Sequence, residues 1–93
     1  MPIDETTRLK RASHLLESDV HGEVVALDVD KGQCYGLNSV GTEIWRLLEQ
    51  PTSVGEICAD LTSRYEVDPE TCRAEVLKLV GELHDEGLVS IEA

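Results

Sequence analysis

Three cysteines, three histidines and nineteen carboxylates are the reactive side chains of this 93-residue chain. A thiol nucleophile needs a base held beside it, and a zinc site needs thiolates and imidazoles in close-set pairs. Cys34, Cys58 and Cys72 stand too far apart for either pattern, and His14, His21 and His84 are scattered with no H-E-x-x-H run. Gly32 and Gly36 belong to no G-x-G-x-x-G or Walker loop. An odd cysteine count fits no disulfide framework, so the three thiols read as reduced and mostly buried. The carboxylates read as a solvated acidic face. No catalytic residue, no metal and no cofactor is expected.

Binding remains, and charge narrows the partner. Nineteen acidic residues against eight basic ones give a net charge of −11. Nucleic-acid binding rests on clustered Lys and Arg that neutralise phosphates, so that class is disfavoured. Docking on anionic membrane fails for the same reason. A neutral or basic partner is favoured. No apolar run has the length of a signal peptide or a membrane span, so a cytoplasmic protein is expected. The chain length suits a single domain, and aromatic residues are only 3% of it, so the core must be aliphatic.

Residues 1–12 lack periodicity and read as a flexible arm, with an extended stretch near Leu9 at most. The single domain is then 13–93. His14 to Ser18 is a short strand, and Glu23 to Val29 is a β-rich run. Asp30-Lys31-Gly32 is a turn, after which Gln33 to Leu37 returns as a strand. The side of that strand that meets the core stays open, because two- and three-residue loops give opposite parity. Asn38 is an N-cap for a helix carrying Val40, Ile44, Leu47 and Leu48. Ser53-Val54-Gly55-Glu56 is a capping box for a second helix. Asp68 and Pro69 open a third, which stops at Gly87, before a tail strand over Leu88 to Ile91. The expected class is α+β and winged-helix-like: a three-stranded antiparallel sheet, then three helices.

The third helix carries an unusually wide apolar arc. Cys72, Val76, Leu79 and Leu83 make a buried stripe, while Leu77 and Val80 widen it to about 140°, with Arg73 and His84 between them. Either the extra width meets more core, or it is the wall of a half-exposed groove. A small sheet also has edges, and an open edge accepts an extended peptide.

The run Gly32-x-x-Tyr35-x-Leu37-Asn38-x-x-Gly41-x-x-Ile44-Trp45-x-Leu47-Leu48 resembles the signature of the PqqD-like family. The likeness continues through Thr52 to Leu61, Tyr65-x-Val67-Asp68 and the Val76 to Leu83 helix ending in Gly87-Leu88-Val89. It implies a recognition element for ribosomally made, post-translationally modified peptides, which binds the leader of a precursor peptide as an added β-strand. Carried over, the peptide-binding residues are Gln33, Cys34, Tyr35, Gly36 and Leu37 on the strand, with Arg73, Leu77, Val80 and His84 on the helix. Members serving pyrroloquinoline quinone assembly tend to carry a Pro-Glu pair and an Ala-x-x-Ile-Leu run. Gly32-x-x-Tyr35 and Gly41-x-x-Ile44-Trp45 look more like stand-alone lasso-peptide proteins.

The function implied is a non-enzymatic leader-peptide chaperone that presents its precursor to a leader protease or modifying enzyme. A partner of a radical-SAM peptide-modifying enzyme is the alternative, and a winged-helix transcription factor is disfavoured by charge.

Overall fold

The computed structural model describes residues 3–92. Its chain order is β1 (Arg8–Arg11), β2 (Leu16–Val20), β3 (Glu23–Asp28), β4 (Gln33–Gly36), α1 (Ser39–Leu47), β5 (Thr52–Ser53), α2 (Val54–Arg64), α3 (Pro69–Asp85) and β6 (Val89–Glu92). The fold is α+β, with three helices and two three-stranded antiparallel sheets. Each helix starts where a short polar side chain satisfies exposed N–H groups. Asn38 accepts from Gly41, Ser53 and Glu56 form a reciprocal capping box, and Asp68 accepts from Thr71 ahead of Pro69. The α3 helix ends at Gly87 with φ +77, where the Leu88 N–H reaches back to the Leu83 carbonyl at 2.8 Å. Only glycine takes that left-handed turn cheaply.

One sheet is the expected hairpin platform, in the order β2-β3-β4. The other, β5-β1-β6, corrects the reading of a flexible arm at Arg8–Arg11, while residues 1–2 of that reading lie outside the described residues. Arg8–Arg11 is its central strand, paired with Thr52–Ser53 on one side and Val89–Glu92 on the other. Leu9 is 0% exposed. A four-residue strand is too short to show a period, and its partners lie far along the chain, so pairing decides its structure. Arg8, Lys10 and Arg11 disguise it further. Arg11 lies over the Trp45 ring at 5.4 Å and bonds both the Trp45 carbonyl and Glu17, while Trp45 Nε1–H donates to Glu17 Oε1 at 2.9 Å. The core is Leu9, Ile44, Trp45, Leu48, Val54, Ile57, Val76, Val80 and Leu88 with their neighbours, aliphatic apart from the one indole.

Candidate functional site

Among the described residues the β4 strand pairs with β3 alone, so its far side is a free sheet edge. The loop joining the two strands spans four residues, since Asp28 pairs with Gln33. That settles the parity the sequence left open. Tyr35 stands opposite buried Ala26 on the inner face, and Cys34 stands opposite Leu27 on the outer face. The Leu37 N–H continues the ladder to the Val24 carbonyl at 2.9 Å. In an antiparallel pair such inward-bonded residues alternate with outward ones. Gln33, Tyr35 and Leu37 therefore turn their main chain to β3, and Cys34 and Gly36 turn theirs to the open edge. Those two residues hold the groups an added strand would use.

The C-terminal end of α3 is fastened to this hairpin. The Tyr35 hydroxyl donates to Glu86 Oε2 at 3.0 Å and also lies against Gln33 Oε1. Lys31 Nζ donates to the Glu86 carbonyl at 2.9 Å. Partial burial, followed by the Glu86 carboxylate, pushes the Tyr35 phenol above its ordinary value, so it stays a donor. Glu86 thereby marks the flank of α3 that looks toward β4. At 100° per residue, Glu75, Leu79 and Glu82 lie within about 40° of it around the helix axis.

Toward the N-terminal half of α3 this flank borders a groove of about 830 Å³. Val40 and Ile44 of α1, Cys72, Val76 and Leu79 of α3, and Tyr65 and Val67 of the α2–α3 connection line it. Asn38 and Ser39 line it too, directly after β4, so the strand leads into the groove. Val40, Tyr65 and Val67 are among the most exposed large apolar residues, at 55%, 49% and 44%.

The structure places the helix residues carried over by resemblance away from the flank that Glu86 marks. Arg73, Leu77, Val80 and His84 lie about 120–180° around α3 from Glu86. Val80 is 0% exposed within the core, and Leu77 is half-buried against it. Arg73 is exposed and pairs with Glu5 at 2.7 Å, and His84 is half-buried. The wide apolar arc is therefore largely internal packing. Val80 belongs to the same buried cluster as Leu9 and Val89 of the second sheet. Sequence reasoning placed Leu79 in the ordinary core stripe and Glu75 and Glu82 on the wet side, and Leu79 does pack against the core while both glutamates are exposed. Val67, an apolar residue outside the helical stripes, was the available signal. On the strand, Gln33, Cys34 and Gly36 are exposed, Tyr35 is half-buried and Leu37 is buried.

The Cys58 thiol is not poised for chemistry. Burial, then the neighbouring Cys72 thiol, pushes Cys58 up to about 11, which leaves almost no thiolate at neutral pH. Cys72 is buried, and Cys34 is exposed on the outer face of β4. Among the described residues no three His, Cys, Asp or Glu side chains are grouped so as to hold a metal ion.

Residues 23–89 match the family model described as Coenzyme PQQ synthesis protein D (PqqD). The chain belongs to the PqqD family. Among solved structures, this PqqD-family chain is similar to TbiB1 in complex with the TbiA(beta) leader peptide: TM-score 0.82, 28% identity, over 90% of this chain and 98% of that one. It is similar also to a lasso peptide synthetase B1 complexed with its leader peptide, at TM-score 0.79 and 23% identity, over 88% and 96% of the two chains. A third likeness is the PqqD truncation of Methylobacterium extorquens PqqCD, a stand-alone RiPP recognition element, at TM-score 0.78 and 14% identity over 95% and 94%. At those identities the second and third likenesses speak for the fold. No curated protein sequence matches the chain.

Proposed function

We propose that this chain binds the leader of a ribosomally made precursor peptide and presents it to a separate leader protease or peptide-modifying enzyme, in lasso-peptide assembly. The observation that carries this reading is the open β4 edge, joined to the α3 flank and its groove, in a fold shared with a leader-bound relative. A leader strand beside β4 would take register from the main chain of Cys34 and Gly36 and grip from apolar side chains entering the groove. The protein would act as a binding partner with no catalysis of its own, in the cytoplasm. No helix among the described residues is long and apolar enough to cross a membrane, and the charge of −11 disfavours nucleic acid and anionic lipid. The family description favours a second reading, a partner in coenzyme assembly. The greater identity to TbiB1 than to the PqqCD fragment, 28% against 14%, puts the lasso reading first.

Hydrogen exchange read by mass spectrometry tests the proposal, with the TbiA(beta) leader peptide as probe. Protection concentrated at residues 33–37 and 75–86 is the expected result. Peptide binding with no protection along β4 would overturn it.

A further inference from the structure

The groove beside α3 has an apolar floor, and its charges are unbalanced in a way that bears on what enters it. Four charged residues line it: Glu43, Arg46, Glu66 and Glu75. Two are neutralised within the chain, Glu43 by Arg64 at 2.5 Å and Arg46 by Asp19 at 2.8 Å. Glu66 and Glu75 are exposed and have no ion-pair partner among the described residues. The chain has little left to offer them. Of its eight basic residues, Arg8, Arg11, Arg46, Arg64 and Arg73 are all committed to its own carboxylates. Lys31 is bonded to the Glu86 carbonyl. Lys10 lies on β1, and Lys78, one turn after Glu75 on α3, makes no ion pair among the described residues.

Resting on the leader-binding reading above, we infer that this groove selects a leader segment in which an apolar anchor residue stands close to a Lys or Arg. The anchor would sit against Val40, Val67 and Leu79, and the cation would meet Glu66 and Glu75 at the rim. Apolar contact supplies most of the affinity. The paired charges set on-rate and discrimination, because an acidic leader would place like charges together beside a low-dielectric wall. The occupant is thus a basic, apolar peptide.

Selection from a displayed library of random 20-residue peptides tests this, run against the wild type, a Glu66→Gln/Glu75→Gln variant and Cys34→Pro. Both glutamates are exposed, so their amides should leave the melting temperature unchanged. The expected result is wild-type enrichment of peptides with Lys or Arg within a few positions of a large apolar residue. That bias should vanish on the double variant. A representative peptide should bind the double variant at least about threefold more weakly, and its binding to wild type should weaken as salt rises from about 0.05 to 0.5 M. Peptides that need β4, being lost on Cys34→Pro, yet show no basic bias or bind the double variant equally, would overturn the inference and leave the leader reading standing. Enrichment of no peptide that depends on β4 would overturn both.

Discussion

Replacing Cys34 by proline isolates the main-chain contribution of the β4 edge. Cys34 turns its N–H away from β3, whereas Tyr35 turns its own toward Ala26. A proline at an outward-facing edge position removes no bond from the folded chain, and Gln33 is already extended, as the residue before a proline must be. The folded protein should therefore lose no more than about 1 kcal/mol. An added strand fares worse. It loses one hydrogen bond, worth about 0.5–1.5 kcal/mol net, and one of its own carbonyls is left facing the ring, which costs about 1–3 kcal/mol if water cannot reach it. A combined loss of about 1.5–4.5 kcal/mol corresponds to roughly 10- to 2,000-fold in affinity. Cys34→Ala keeps the N–H and should bind as the wild type does, which separates the main chain from the thiol. Fluorescence anisotropy with a labelled leader that binds the wild type measures all three, and circular dichroism confirms the fold. A folded Cys34→Pro that binds within threefold of wild type would refute strand addition at this edge.

Three further outcomes follow from the packing. Leu9→Ala should destabilise the protein by about 2–5 kcal/mol in urea denaturation, since Leu9 is 0% exposed in the central strand of the second sheet; a loss below about 1 kcal/mol would restore the arm reading. Glu17→Ala strands the Trp45 indole N–H and removes the carboxylate paired with Arg11, so it should cost about 1–3 kcal/mol and change the Trp45 emission, an effect that Glu23→Ala should not reproduce. Burial raises the Asp28 carboxyl, but the Lys31 N–H, the His14 hydrogen bond and the charges of both residues outweigh it, so its net direction is below 3.8. A carboxylate depressed in the fold stabilises above its unfolded value and loses that stability as pH falls through its folded value. The urea midpoint should therefore drop below about pH 4, and Asp28→Asn should flatten that drop; an unchanged profile in Asp28→Asn would count against the assignment.

Much of the fold was legible because its determinants are local. Asn38, Ser53 with Glu56, Asp68 with Pro69, and Gly87 punctuate the helices through contacts spanning a few residues, and each acts where expected. The hairpin was legible for the same reason, although β2 lies two residues beyond the expected start, at Leu16–Val20. All five of its residues are exposed, so no buried face marked its bounds. The strand half of the site was also legible, since Gln33 to Leu37 follows a turn signal. The helix half was not. An apolar arc shows how much of a helix is covered and says nothing about which neighbour covers which side. Val80 and Leu77 face the core, and the glutamates and Leu79 near β4 could be ordered around α3 only once Tyr35 and Lys31 were seen to hold Glu86.

By itself the sequence determined the caps, the helices, the hairpin, the aliphatic core and a charge hostile to phosphate, because those depend on neighbours within a turn or on composition alone. Tertiary structure alone decided that Arg8–Arg11 is a central strand, that β4 is an open edge with Cys34 and Gly36 turned outward, and that the C-terminal end of α3 is fastened to the hairpin through Glu86. Each of these depends on a pairing between segments distant along the chain, and hydrophobic periodicity carries no record of the partner.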